Sequence, residues 1–416
     1  MNPSDSPYVA LRYRNFRLLW LGQLVSVTGS MMQTAAILWH VSLLAPAGQK
    51  GLALGMVGLV RVLPIVGFSM VSGVVADVYD RRRVMLISQS LMTVLAVLLG
   101  SLAHAGVHSL LPVYLLAGLT SSAGAFDGPA RQALVPNLVA RAQLPNAISL
   151  NTIMFQVAAV LGPSLGGIVI AAAGVAWAYW ANAISFLFVI GALVLMRDVP
   201  ATEGTKGVSP ARVSWSAALD GLRFVFAQPL IRSSMLLDFF ATFFSSATAL
   251  LPIFAQDVLG IGAGGYGWLY AAPSVGALLA STAMVRLVDA IHRHGAVLLW
   301  SVAAYGAATV AFGCSRSFGL MFACLAMVGA SDTINMVLRG VLRQLETPDH
   351  LRGRMTGVNM VFFNGGPQLG ELEAGLVANW LGAPFSVVSG GIGCLLATGW
   401  VAWRTPALRG YRRKSQ

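Results

Sequence analysis

Apolar residues in this chain come in long, nearly unbroken blocks, and polar residues gather in the short stretches between them. Twelve blocks reach spanning length: 18–44, 52–76, 84–103, 110–126, 147–173, 175–196, 233–255, 266–285, 296–314, 319–338, 355–378 and 384–403. A helix needs roughly 20 predominantly apolar residues to cross the hydrocarbon layer of a bilayer. Lipid offers no partner to a backbone N–H or C=O, so such runs satisfy their own backbone as helices. The pattern predicts an all-α membrane protein of twelve transmembrane helices.

Composition strengthens that reading, since 56% of residues are hydrophobic and 10% are charged, against about 25% charged in soluble domains. With the spans threaded alternately from an inside amino terminus, all of the 27 basic residues except Lys50, Arg316 and Arg61 fall on one side. Basic residues next to spans stay in the cytoplasm, which places both termini there. The +12 net charge then reflects topology and contact with anionic lipid headgroups, with no nucleic-acid partner implied. The first block is too long for a signal-peptide core, so it is expected to remain as a helix. Cys314, Cys324 and Cys394 show neither disulfide nor metal-ligand spacing and read as packing residues. His40, His104, His108, His292, His294 and His350 likewise suggest no metal site.

The longest polar interruption divides the chain into an amino-terminal half (1–196), a linker (197–232) and a carboxy-terminal half (233–416) with a basic tail. Within the linker, Trp215, Leu219, Leu222 and Phe226 can share one helical face, which suits a helix lying on the membrane surface. The halves look related. Arg131-Gln132-Ala-Leu-Val-Pro136 recurs as Arg343-Gln344-Leu-Glu-Thr-Pro348, and Gly162-Pro163-Ser-Leu-Gly166 recurs as Gly366-Pro367-Gln-Leu-Gly370, in the same order. Duplication of a six-helix unit accounts for both.

The densest cluster of charge is Gly73-Val-Val-Ala-Asp77-Val-Tyr-Asp80-Arg81-Arg82-Arg83, between the second and third spans. It resembles the loop signature of the major facilitator superfamily. Arg14-Asn-Phe-Arg17, Phe126-Asp-Gly-Pro-Ala-Arg131 and Thr347-Pro-Asp-His-Leu-Arg352-Gly-Arg354 extend the resemblance over essentially the whole chain. They are similar to the branch that includes bacterial siderophore exporters and macrolide-type efflux pumps. The resemblance implies two pseudo-symmetric six-helix bundles working by alternating access. It implies transport of a small molecule, powered by a proton gradient, by a monomer in the bacterial cytoplasmic membrane.

Site expectations follow from residue types and depth. Gly73 allows close helix approach, and Asp77, Arg81 and Arg82 would latch the cytoplasmic side through charge-assisted bonds, unless the arginines only fix topology. Gly162, Pro163, Gly166 and Gly167 resemble the fifth-helix signature of antiporters and would let that helix approach the eighth. Drug antiporters often carry an Arg within the fourth helix, and 114–125 has none, so their proton route is not transferred. Ionisable groups inside spans cost about 2.5 to 3.5 kcal/mol at a lipid-facing centre and therefore need partners or a cavity. Arg61 with Glu371 or Glu373 is a candidate outer gate, or a static pair. Asp238 and Asp332 are candidates for carrying the coupled proton, with pairing of Asp332 to Arg339 as the alternative. Gln33, Phe126, Phe243, Phe244 and Asn335 are candidate cavity residues.

The expected function is proton-coupled export of a small amphipathic compound, of the drug or siderophore class, with no cofactor. Uptake or facilitated transport is the nearest alternative, and a membrane-embedded enzyme or sensor the more distant one. The sequence has no Gly-x-x-x-x-Gly-Lys-Ser/Thr phosphate loop to drive transport with ATP.

Overall fold

The computed structural model describes residues 8–46, 48–197, 223, 225–287, 291–347 and 352–411, with the side chains of 69, 70, 74, 77, 344, 345 and 352–364 left aside. Most of the linker's amphipathic stretch 215–226 lies outside these residues.

Among the described residues twelve long helices are found: α1 (Arg14–Leu44), α2 (Lys50–Val78), α3 (Arg81–His104), α4 (Leu110–Leu134), α5 (Leu144–Ala173), α6 (Val175–Leu195), α7 (Pro229–Phe244), α8 (Ala263–Leu287), α9 (His294–Cys314), α10 (Phe318–Glu346), α11 (Arg352–Leu381) and α12 (Ala383–Arg404). A short α13 (Pro406–Arg409) follows. Ten segments among the described residues are long and apolar enough to cross a membrane. Of the other two long helices, α1 carries Gln23 and Gln33 within its length, and the described side chains of α11 begin at 365. Large apolar side chains such as Ile87, Val285, Trp300, Trp380, Leu396 and Trp403 are exposed, as a lipid-bathed surface requires.

Turn chemistry repeats between the halves. Gly174 ends α5 and admits α6 with φ +91°, and Gly382 does the same between α11 and α12 with φ +89°. A side chain is strained at such a φ, and glycine is not. The span that begins with α7 breaks at 245–247 and continues as a 3₁₀ turn (Thr248–Leu250), a helical turn (Leu251–Ile253) and a π-helical turn (Phe254–Val258).

The chain forms two compact units that do not follow the midpoint of the sequence. Unit 1 holds the described residues of 8–44 and 60–197 together with Ala263–Gly267; unit 2 holds those of 45–59, 223–262 and 268–411. Unit 1 buries Phe16, Leu19, Met85, Leu134, Leu138, Leu150 and Leu193 in one cluster. Unit 2 buries Ile231, Met235, Leu237, Leu298, Leu338 and Leu342 in another. Five residues at the start of α8 complete unit 1: Tyr266 donates to the Ala35 carbonyl at 2.9 Å and stacks on Trp39 at 5.1 Å. Unit 2 takes the first ten residues of α2 in the same way. Gly51 and Gly55 lie against the backbone of Gly375, and Lys50 binds Asp257 at 3.0 Å.

Candidate functional site

The α2–α3 connection is built around helix ends. Asp80 caps α3, its Oδ1 accepting from the backbone N–H of Arg82 at 2.8 Å and of Arg83 at 3.3 Å. Arg81 donates to the carbonyls of Ala76 at 3.3 Å and Ala133 at 2.9 Å, joining the ends of α2 and α4. Arg82 reaches the Val194 carbonyl near the end of α6 at 3.2 Å. These cations meet the orphan carbonyls and negative dipole ends of three helices. Close approach at Gly73 is not found: a Cβ there would meet nothing within 4 Å among the described residues, so its lack of a side chain admits no neighbour. The side chain of Asp77 lies outside the described residues.

The fifth-helix glycines do admit neighbours. A Cβ on Gly162 would strike α1 at Thr28 and Met31, and one on Gly166 would crowd Met32. On Gly167 it would strike Ala263 and Gly267, at the start of α8, and Gly267 in turn lies against the Pro163 carbonyl. The eighth helix is therefore one partner of this motif, as expected, and α1 is a second.

Unit 2 gathers most of its polar candidates into one group. Asp238 on α7 forms a buried ion pair with Arg339 on α10, and accepts from Asn335 Nδ2 at 3.2 Å. Asp238, Asn335 and Arg339 are 2%, 2% and 1% exposed. Asp332, Asn335 and Arg339 follow one another at helical spacing along one face of α10, and Asp332 is an electrostatic neighbour of both Asp238 and Arg339. Arg339 closes its ion pair on Asp238, across helices, and not on Asp332 along its own helix.

A second polar group occupies unit 1, and sequence reasoning missed it. Asp127 and Arg131 lie four residues apart on α4. Asp127 accepts from Gln89 of α3 at 2.9 Å, and Arg131 donates to Gln23 of α1 at 2.9 Å while sitting 4.8 Å over the Phe155 ring of α5. The i, i+4 spacing of acid and base was the available signal.

The remaining candidates are dispersed. Gln33 is buried, and its Oε1 accepts from Asn182 of α6 at 2.7 Å, so it joins two helices of one bundle. Phe126 packs on Phe68 at 5.5 Å. Phe243 stacks on Phe239, and Phe244 lies under Gly390 and Gly393 of α12. Glu371 packs beside Gly58 within unit 2, whereas Arg61 belongs to unit 1. At the other end of α1, a cleft of about 480 Å³ is lined by His40, His104, His108 and Trp177. His40 Nδ1 lies 3.1 Å from the Tyr179 hydroxyl. No group of three or more His, Cys, Asp or Glu among the described residues is placed to hold a metal ion.

The family model for transmembrane secretion effectors of the major facilitator superfamily matches residues 5–411. This chain belongs to that family. The secretion-effector chain is 28% identical over 344 residues to the enterobactin exporter EntS of Salmonella typhi, covering 82% of this chain and 80% of the relative. It is 27% identical, over the same length and coverage, to EntS of Escherichia coli O1:K1 / APEC. Among solved structures it resembles a bacterial homologue of the iron transporter ferroportin in the inward-facing state, with TM-score 0.67, 16% identity, and 96% and 99% of the two chains covered. A bacterial homologue of the lysosomal transporter Spinster gives TM-score 0.71 at 14% identity, covering 97% and 99%. The nucleoside transporter NupG gives 0.68 at 15%, covering 99% and 100%. At these identities the structural likeness concerns the fold. The secretion-effector chain is thus a multi-span transporter of a small molecule and not an enzyme.

Proposed function

We propose that this transporter exports a small amphipathic compound, of the drug or siderophore class, in exchange for protons and by alternating access. In this reading it works without a cofactor, as a monomer in a bacterial cytoplasmic membrane, with both termini inside. The observation that carries the reading is the buried Asp238–Arg339–Asn335 group. Charged side chains inside spans are costly and mark ion or substrate pathways. A proton arriving on Asp238 removes the carboxylate charge that holds Arg339, loosens α7 from α10, and so links protonation to helix movement. Asp332, on the face of α10 that carries Arg339, is the second candidate carrier.

Export over uptake is favoured by the relatives named as enterobactin exporters and by the fifth-helix Gly162-Pro163 motif. In this reading the segment of Gly73, Asp77, Arg81 and Arg82 serves as the cytoplasmic gate. Purified protein in liposomes with an internal pH dye, an imposed proton gradient and a panel of drugs and siderophores tests the proposal. Compound-dependent proton flux that is lost in Asp238→Asn and altered in Asp332→Asn is expected. Compound movement without proton flux would replace antiport by facilitated transport, and undiminished pH dependence in both variants would remove both acids from the mechanism.

A further inference from the structure

The polar group of unit 1 differs from that of unit 2 in how its cation is used. A step of 212 residues leads from Arg131 to Arg343 in the repeated sequence, and the same step leads from Asp127 to Arg339. Where unit 2 places its buried arginine, unit 1 therefore places an acid, and its arginine stands one turn further along the helix. Arg339 is held by a carboxylate. Arg131 is held by the neutral amide of Gln23, and no ion pair is formed by Arg131 among the described residues. Asp127 is an electrostatic neighbour of Arg131 but forms no salt bridge with it among the described residues, and its Oδ1 accepts from Gln89.

The surroundings of Arg131 define what it can bind. Its guanidinium has five N–H donors in a planar fork, and among the described residues Nη1 is the nitrogen that donates, to Gln23. One face of the fork lies 4.8 Å over the Phe155 ring, an arrangement that orients the cation and leaves its edge for a ligand. Gln23 is 2% exposed, and its Nε2 has no hydrogen-bond partner among the described residues. Gln89, also 2% exposed, likewise leaves its Oε1 unbonded. Trp20 and Phe155 add aromatic surface, packed on Val27, Met154 and Ala158; the Trp20 indole N–H is already committed to the Leu150 carbonyl at 3.0 Å. A planar cation, a spare amide donor and aromatic walls suit an acidic oxygen carried on a flat ring.

We propose that Arg131, Gln23 and Phe155 form a cargo subsite for an aromatic carboxylate or phenolate. The subsite rests on the export reading: Arg131 is three residues from the end of α4 at Leu134, the end that this reading places at the cytoplasmic, loading side.

The test is calorimetric titration of the transporter in lipid nanodiscs, with empty nanodiscs as blank. Three probes separate the contributions: salicylate is an aromatic anion with a hydroxyl, acetate an anion without a ring, and benzyl alcohol a ring without charge. Salicylate is expected to bind most tightly, to lose tenfold or more in affinity in Arg131→Gln, and to lose several-fold in Phe155→Leu. Arg131→Lys keeps the charge without the fork and is expected to fall between wild type and Arg131→Gln, which a merely structural role would not produce. Equal affinity in wild type and Arg131→Gln, or no salicylate binding at millimolar concentration, would overturn the subsite. Proteoliposome flux separates this from the export reading. Intact proton-coupled export with Arg131-independent binding removes the subsite alone, and Arg131-dependent binding without any export upholds the subsite and removes the export reading.

Discussion

Replacing Asp238 by Asn leaves Arg339 buried at 1% exposure without its carboxylate, and replacing Arg339 by Gln leaves Asp238 at 2% with only Asn335 to bond it. Each single change strands a charge, and breaking a buried ion pair in this way costs about 3–5 kcal/mol. At an effective dielectric of about 20, two unit charges about 4 Å apart attract by roughly 4 kcal/mol, which is consistent with that range. The double variant Asp238→Asn/Arg339→Gln removes both members of the ion pair together. Its cost reduces to imperfect hydrogen bonding around Asn335, about 1–3 kcal/mol. The two single losses therefore exceed the double loss by at least about 3 kcal/mol, a coupling well above the roughly 0.5 kcal/mol within which independent sites add. Reversible unfolding in mixed detergent micelles, followed by tryptophan fluorescence, measures all four proteins under one condition. A double-variant loss equal to the sum of the single losses would refute the pairing and the coupling scheme built on it.

Other expectations follow from the same geometry. Gly167→Leu would drive a side chain into the backbone of Ala263 and Gly267, and overpacking of this kind costs about 1–3 kcal/mol; a lowered melting temperature in detergent, absent in Gly73→Leu, checks it. Asn182→Leu leaves the buried Gln33 carbonyl without its donor, with an expected loss of about 1–3 kcal/mol in the same assay. Lys50→Met removes a half-exposed ion pair and is expected to change stability by no more than about 1 kcal/mol, with the difference shrinking as salt is added. Asp80→Ala removes the α3 cap at an expected cost of about 0.5–2 kcal/mol, read from the same melts.

Spans were legible because lipid imposes one requirement, long apolar runs, that composition displays directly. Their ends were less so. The sequence suggests that the fourth span stops at 126, before Gly128-Pro129, yet α4 runs to Leu134 with Pro129 inside it. That extension places Asp127 and Arg131 in the helix, where the run of apolar residues alone left them in a loop. The tenth run likewise closes at 338, one residue before Arg339, while α10 continues to Glu346 and buries that arginine. Asp238 and Asn335 were recognised as candidates from type and depth. Their meeting with Arg339 was not legible, because the partners sit on helices about a hundred residues apart and only packing sets which faces touch.

The assignment of Ala263–Gly267 to unit 1 bears on the order in which the protein is made. When α6 leaves the ribosome the first bundle still lacks a piece: Tyr266 has not been synthesised, so the Ala35 carbonyl lacks the donor that will bond it, Trp39 lacks its stacking partner, and Gly167 has no backbone against it. The first ten residues of α2, for their part, wait for α11. A chain stopped near residue 197 is therefore an unfinished bundle, and co-expression of the two halves should stabilise each other's helix ends only when the second half begins before residue 263. Assembly of this transporter is an event of late synthesis, in which the beginning of the eighth helix completes what the first six began.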